Sequence, residues 1–241
     1  MNQIITGDCL KVLPTLVEKS IDMILCDLPY GVTNNKWDCL IPLEPLWAEY
    51  KRIIKDNGVI ALTAQGIFTA KLIMAAEDLF RYTLIWEKNK PRGFFNARRQ
   101  PLRKHEDICI FYKKQPVYNP QKTTGHNPVH TYTKHSIDGN SGTNYGKGLK
   151  GWSGGGSTER FPTSILKIDV VNEVNTIHPT EKPVELGEWL IKTYTNERAL
   201  VLDNSCGSGA FLVAAKKLNR QYLGIEIDEN YCDLARKRLG K

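Results

Sequence analysis

The chain has 241 residues, a length that fits one domain or one core domain with a substantial insertion. Its hydrophobic fraction of 41% predicts a packed core, and no apolar run approaches the roughly 18 residues of a membrane span. The net charge of +7 permits binding to a polyanion without demonstrating it. The N-terminal residues lack the zones of a signal peptide, so we expect a cytoplasmic protein with no membrane partner.

Short apolar runs rich in β-branched residues alternate with helical patterns along the chain. The runs that predict strands are QIIT (3–6), IDMILC (21–26), GVIALT (58–63), YTLIWE (82–87), DICIFYK (107–113), ALVLD (199–203) and YLGIEI (222–227). Helical patterns lie between the second and third runs and after Pro183, Gly209 and Asn230. This alternation predicts an α/β fold with a mostly parallel, doubly wound sheet and helices on both of its faces.

One irregular segment interrupts the alternation between residues 121 and 160, where nine residues are glycine. So long a segment without a helical or strand pattern indicates a functional loop or an inserted recognition element, and a disordered surface excursion is the alternative. We therefore expect a core of residues 1–114 and 178–241, with an insert of residues 115–177 between its halves.

A glycine turn separates a strand from a helix within residues 199–228. The first strand ends at Asp203, the turn contains Gly207 and Gly209, and the next strand ends at Glu226. This layout is typical of a nucleoside-binding unit, because glycine lets a ligand approach the backbone and the acid accepts hydrogen bonds from ribose hydroxyls.

The turn departs from two related phosphate-binding motifs. Phe211 and Leu212 lie where a dinucleotide fingerprint would have its third glycine, and no Lys-Ser or Lys-Thr pair completes a P-loop. A nucleoside cofactor without a pyrophosphate explains both departures, and S-adenosylmethionine (SAM) is the candidate. The alternative is a tight turn with a purely structural role.

The second predicted strand runs directly into Asp27, Leu28, Pro29 and Tyr30. Ligands of open α/β sheets bind beyond the carboxyl ends of the strands, so this segment and the glycine turn should face one crevice. Pro29 has no backbone donor and leaves the Leu28 carbonyl free, so this carbonyl and Asp27 offer two acceptors beside the Tyr30 ring. The arrangement suits a planar ligand that carries an exocyclic amino group.

These motifs together resemble the amino-group DNA methyltransferases, which methylate adenine N6 or cytosine N4. The family has an acid, Asn or Ser before Pro-Pro-Tyr, and this chain has Asp-Leu-Pro-Tyr at 27–30, a form similar to that of phage-type members. HPTEKP (178–183), TGDCL (6–10), RKHEDICIFYK (103–113) and the Gly-Ser-Gly at 207–209 resemble further family blocks. Their order is similar to the permuted β-type arrangement, and the resemblance fails over the insert.

The resemblance implies a Rossmann-like, SAM-dependent methyltransferase in which the insert recognises the DNA target. The catalytic residues would be Asp27, Leu28, Pro29 and Tyr30, and the target base would flip out of the duplex and stack on Tyr30. The residues that would bind SAM are Asp8, Cys9, Asp27, His178, Thr180, Lys182, Asp203, Ser205, Gly207, Ser208, Gly209, Glu226 and Asp228.

Aspartate at position 27 favours adenine N6 as the methylated atom, by resemblance to adenine enzymes of the family. A cytosine-N4 enzyme is the nearest alternative, and a protein-glutamine methylase and a catalytically silent DNA-binding relic are the others. The implied partner is DNA. Family resemblance adds two further partners that the sequence does not show, a second copy of the chain and a cognate restriction enzyme of a prokaryote or phage.

A basic run between residues 88 and 104 contains no acid and includes Phe94 and Phe95. We predict DNA contacts for its basic residues and for one aromatic residue of the insert, although a solvated surface is the usual role of a charge run. These residues are Lys88, Lys90, Arg92, Arg98, Arg99, Arg103, Lys104 and Trp152.

Two residue types suggest no metal or disulfide chemistry. No cysteine or carboxylate completes a zinc ligand set around the histidines at 126, 130 and 135, so we expect no metal. The six cysteines are scattered without C-x-x-C spacing, which favours buried reduced thiols.

Overall fold

The computed structural model describes residues 2–31, 39–130, 155–171 and 181–240. Its contacts divide the chain into two compact units, one of Met1–Asn119 with Ser164–Lys241 and the other of Pro120–Thr163. The second unit is narrower than the predicted insert of 115–177, because Ile165–Lys167 forms a strand of the sheet in the first unit.

The first unit contains a sheet and six α-helices within the described ranges. The strands are β1 (Asn2–Thr6), β2 (Ile21–Asp27), β3 (Ile54–Ala64), β4 (Phe80–Arg92), β5 (Arg103–Phe111), β6 (Ile165–Lys167), β7 (Leu200–Asp203) and β8 (Gln221–Glu226). The helices are α1 (Cys9–Val12), α2 (Leu43–Ile53), α3 (Ile67–Ala75), α4 (Val184–Tyr194), α5 (Ala210–Lys217) and α6 (Glu229–Arg238).

The strand order in the sheet is β1-β8-β7-β2-β3-β5-β4-β6. The first five strands in this order run parallel, β5 is antiparallel to both β3 and β4, and β6 is parallel to β4. The predicted α/β fold with a mostly parallel sheet is therefore confirmed. Every predicted strand is present, whereas β6, α1 and α3 were not predicted.

Burial on both faces of the sheet explains the apolar sequence of β2. Met23 and Leu25 belong to a core that also contains residues of α4, α5 and α6, whereas Ile24 and Cys26 belong to a second core with residues of α2 and α3. Because successive side chains of a strand point to opposite faces, helices cover both faces of this strand. Among the described helices none has the length and apolar character needed to cross a bilayer.

Candidate active site

A cavity of about 630 Å³ lies at the carboxyl ends of β1, β2, β7 and β8. Each of these parallel strands places an acid at or just beyond its end, and all of these acids line the cavity: Asp8, Asp27, Asp203 and Glu226. Parallel strands bring their carboxyl ends to one edge of a sheet, which is why residues so distant in sequence meet here. The predicted crevice shared by the Asp27 segment and the glycine turn is thus present.

Glu226 fixes the glycine turn from the end of β8. Its Oε2 accepts a hydrogen bond from the Gly207 backbone at 2.8 Å, and its Oε1 accepts from the backbones of Ile227 at 2.9 Å and Asp228 at 3.0 Å. A carboxylate has about four lone-pair sites, so Glu226 retains acceptor capacity toward the cavity.

The two glycines of the turn have different surroundings. Gly207 lines the cavity with a positive φ of 48°, whereas Gly209 has a φ of 78° and begins the turn into α5. A Cβ on Gly209 would lie 3.0 Å from the Ala235 Cβ, which shows that α5 and α6 pack closely at this point. Gly209 and Asp228 are not among the cavity residues, and Asp228 instead caps α6 by accepting from the Asn230 backbone at 2.8 Å.

Asp8 and Cys9 form the part of the cavity wall that follows β1. The Asp8 carboxylate accepts a hydrogen bond from the Leu10 backbone at 2.9 Å and caps α1, while Cys9 is buried. Capping holds this carboxylate at the cavity edge, because the side chain must satisfy the first backbone donors of the helix.

Asp203 and its neighbours connect β7 to β2. Burial raises the pKa of Asp203 to about 8, and its carboxyl accepts from the Ser205 backbone at 3.3 Å. Ser205 donates its hydroxyl to the Asp27 carbonyl at 3.1 Å, and Cys26 donates to the Asn204 side chain at 2.9 Å. Residues after β7 are therefore tied to the end of β2.

The Asp27 carboxylate receives donors on both oxygens. Its Oδ1 accepts hydrogen bonds from the Tyr30 hydroxyl at 2.7 Å and from Thr63, which is its register partner on β3. Its Oδ2 lies 2.5 Å from the Lys182 Nζ. The Tyr30 ring packs against Phe68 with a centroid distance of 5.1 Å. Burial and the charge of Asp27 raise the pKa of Tyr30 well above its ordinary value, so the phenol stays neutral.

Asp27 is the first of four charged side chains that extend from the cavity into its wall, each of which contacts the next: Asp27, Lys182, Glu106 and Lys88. The Lys182 Nζ lies 3.4 Å from the Glu106 Oε2, and Lys88 pairs with the other Glu106 oxygen. Burial alone would lower the pKa of Lys182, but the carboxylates of Asp27 and Glu106 outweigh it and raise the pKa. For Lys88 burial outweighs Glu106 and lowers the pKa.

Sequence reasoning missed two polar members of this site. Thr63 lies near the end of β3, and Glu106 lies two residues before the apolar part of β5. A polar residue close to the boundary of a buried strand was therefore the available signal. Both are buried, and Glu106 lines the cavity. The strand neighbours that bring them to Asp27 and Lys182 depend on the sheet order.

The basic residues of 88–104 occupy the β4–β5 hairpin. Most are exposed: Lys90, Arg92, Arg98, Arg99, Arg103 and Lys104. Lys88 differs from these residues, because its side chain is buried against Glu106 and lies 4.7 Å from the Trp86 ring centroid, and its DNA contact stays a prediction. At the hairpin tip, the exposed fractions of Phe94 and Phe95 are 80% and 102%.

Three predicted site residues lie outside the described residues: Trp152, His178 and Thr180. His135, which was considered for a metal site, also lies outside them. Of the described cysteines, Cys39 is exposed and does not fit the predicted burial, whereas the others are buried. In the second unit the His126 ring lies 2.6 Å from the Thr123 hydroxyl.

The sheet order and the four acidic strand ends around one cavity give this α/β protein a site that suits a nucleoside-type cofactor, and the Asp-Leu-Pro-Tyr segment lies in its wall. Residues 21–237 match the N6/N4 family model described as DNA methylase. The chain belongs to this DNA methylase family, which confirms the predicted family.

Comparisons with individual proteins agree with this assignment. The chain is 25% identical to the type II methyltransferase M.HindIII of Haemophilus influenzae, over 98% of this chain and 94% of the relative. The solved structure of M1.HpyAVI with SAM is 25% identical over 100% of both chains, with a TM-score of 0.68. The cytosine-N4-specific PvuII DNA methyltransferase shares the fold, with a TM-score of 0.72 over 98% of this chain and 86% of its own at 15% identity.

Proposed function

We propose that this protein is a SAM-dependent DNA methyltransferase that methylates the exocyclic N6 of adenine in a specific sequence. The observation that carries the proposal is the single cavity that contains both the Asp27–Tyr30 segment and the turn held by Glu226. One part suits a planar base with an amino group, and the other suits a nucleoside cofactor.

The cavity residues fit SAM as the cofactor, in agreement with the SAM complex of the structural relative. Glu226 has free lone pairs for the ribose hydroxyls, and Gly207 offers a surface without a side chain. Asp8, Asp203 and Ser205 supply further polar groups. His178 and Thr180 stay predicted cofactor contacts by resemblance. Bound SAM supplies an electrophilic methyl group on a sulfonium.

Asp27 and the Leu28 carbonyl would accept the two N–H donors of the target amine. Accepting a hydrogen bond from each N–H group would favour a pyramidal nitrogen, so its lone pair would be available for methylation. The adjacent Tyr30 ring provides the stacking partner, at roughly 1–3 kcal/mol for a base on an aromatic ring. Much of the acceleration comes from holding two reactants in this geometry. The methylated nitrogen then loses one proton, and Asp27 is the carboxylate proposed beside it.

The hairpin of β4 and β5 would contact the phosphate backbone around the flipped base. Arg103 and Lys104 lie on β5, the strand that also carries Glu106 of the cavity, so the hairpin extends from the site itself. Residues 115–177 would recognise the target sequence. Methylation of DNA would take place in the cytoplasm of a prokaryote or a phage-infected cell, and a restriction enzyme and a second copy of the chain stay predicted partners.

The second candidate is a cytosine-N4 DNA methyltransferase, because the fold is shared with a cytosine-N4-specific enzyme. Asp27 favours adenine by resemblance, but both bases present an exocyclic amine on a planar ring. Nucleoside mass spectrometry of unmodified DNA incubated with the protein and SAM decides between them. N6-methyladenine is the expected product, N4-methylcytosine would select the second candidate, and no product across a broad panel of DNA would overturn both.

A further inference from the structure

We propose that the Lys182 ammonium moves from Asp27 to Glu106 when the target base enters the cavity. Glu106 is thus a second docking position for Lys182. The inference rests on the proposed function and deepens it, since it assigns the step that makes Asp27 available to the base. It makes Glu106 a positioning residue that acts through Lys182.

The starting point is that the Asp27 carboxylate is already engaged. Tyr30 and Thr63 donate to Oδ1, and the Lys182 ammonium lies 2.5 Å from Oδ2. An ammonium at this distance neutralises the carboxylate and occupies the oxygen that a base amine would approach. A base can use Asp27 fully only after Lys182 has withdrawn.

Glu106 provides the place for that withdrawal. Its Oε2 lies 3.4 Å from the Lys182 Nζ, yet this buried oxygen accepts no hydrogen bond among the described residues. A buried carboxylate oxygen without a donor is costly, so the oxygen favours closer approach of the ammonium. Lys182 thus lies between two acids and hydrogen-bonds to one of them.

Lys88 holds Glu106 ready for this exchange. It pairs with Oε1 and lies over the Trp86 ring, so the carboxylate is anchored on one oxygen while the other is left toward Lys182. The pair belongs to adjacent antiparallel strands, β4 and β5, which fix its position. Lys182 keeps a carboxylate neighbour throughout the exchange, which avoids an isolated buried ammonium.

The test is single-turnover methyl transfer by Glu106→Gln, which keeps the shape of the side chain and removes its charge. Lys182 then has no anionic alternative to Asp27, so we expect the rate to fall about tenfold or more while SAM affinity stays within about twofold. Glu188→Gln is the matched control, because Glu188 lies on α4 outside the cavity and pairs instead with Lys217 at 3.2 Å. A parent-like rate in Glu106→Gln, or an equal loss in the control, would overturn the inference.

A double-mutant cycle separates this role from a structural one. In a Lys182→Met background Glu106→Gln should have no further effect on the rate, because Glu106 acts through Lys182. Additive losses would instead assign Glu106 an independent role and reject the exchange.

A measurement without turnover keeps the inference distinct from the proposed function. The NMR signal of the Lys182 ammonium should shift when deoxyadenosine is added to the parent saturated with S-adenosylhomocysteine, which has no methyl group to transfer, and should not shift in Glu106→Gln. A parent that transfers no methyl group rejects the proposed function, whereas a parent that transfers it without this shift rejects only the exchange. Thermal melts of each variant verify that it is folded.

Discussion

Substitution of Asp27 tests the proposed chemistry most directly. It ends a strand buried on both faces, and Thr63, Tyr30 and Lys182 hold its carboxylate in the cavity. Asp27→Ala should reduce methyl transfer by several orders of magnitude, because it removes the acceptor for the target amine, while Lys182 retains Glu106 as a counter-ion. Labelled SAM and substrate DNA measure the transfer.

Asp27→Asn is the matched variant for this prediction. It keeps an acceptor oxygen and loses the charge, so its activity should lie between those of the parent and of Asp27→Ala. If Asp27→Ala is folded and fully active, the mechanism is wrong.

Substitutions of Glu226 and Asp228 provide a second test at the scale of single residues, because Glu226 lines the cavity and Asp228 does not. Glu226→Gln should weaken SAM binding about tenfold or more, since hydrogen bonds to a charged group contribute about 1.5–3 kcal/mol. Asp228→Ala removes the cap of α6, so it should lower the free energy of unfolding by about 1 kcal/mol and leave SAM affinity unchanged. Calorimetric titration and denaturant unfolding measure the two quantities. Equal SAM affinity in Glu226→Gln and the parent would contradict the ribose assignment.

Asp203 should make stability depend on pH. Burial raises its pKa to about 8 in the folded protein, whereas the unfolded chain has the ordinary aspartate value of about 4. Between these values the unfolded state binds fewer protons, so the free energy of unfolding falls as pH rises from about 4 to about 8. Asp203→Asn removes this dependence and should be relatively more stable at pH 8, by an amount on the order of a few kcal/mol. Denaturant unfolding at several pH values measures it, and identical pH profiles of parent and variant would refute the assignment.

At the scale of elements, the β4–β5 hairpin carries the proposed DNA contacts. Arg98→Ala with Arg99→Ala should weaken DNA binding on all sequences and reduce the slope of log affinity against log salt by about 2, because each phosphate contact contributes about 1. Lys51→Ala on α2 is the control, since the partly exposed Lys51 lies outside the hairpin and pairs with Asp78 at 2.9 Å. Fluorescence anisotropy at several salt concentrations gives both slopes, and an unchanged slope in the arginine variant would remove the hairpin from the interface.

The elements also show how far the sequence predicts this fold. Long apolar runs such as that of β2 predict their strands correctly, because burial on both faces requires continuous apolar sequence. β6 has only three residues, too few for a period to emerge. The helix α3, IFTAKLIMA, has apolar residues around most of its circumference, so it lacks the amphipathic stripe that predicts a helix.

The site residues, like the strands and helices, could be predicted where the local sequence determines them and not where the tertiary fold does. Asp27, Tyr30 and Gly207 could be predicted because each lies in a short motif whose residues act together, and the rule for strand ends brings the motifs to one edge. Glu106 could not be assigned its neighbours, because they depend on an antiparallel β5 between β3 and β4. The sequence of a basic run does not show which of its members is buried, and in this run the buried member is Lys88.

At the scale of the whole molecule, the two ends of the sequence form one side of the sheet. β1 pairs with β8, so residues 2–6 obtain their strand partner from residues 221–226. By contrast, β2 and β3 are neighbours in both sequence and sheet, and β4 pairs with β5 across a single hairpin. Long-range strand pairs cost more chain entropy to form than local ones and assemble more slowly.

This arrangement has a consequence for the protein during its synthesis on the ribosome. β2, β3, β4 and β5 can associate as soon as they emerge, but β1 has no strand partner until residues 221–226 have been made, at about 5–20 residues per second. The cofactor cavity needs Asp8 from the region after β1 and Glu226 from β8, so a nascent chain can form the complete cavity only after residue 226 has emerged. Premature termination before residue 221 would therefore release a chain that retains its basic hairpin but lacks the means to methylate.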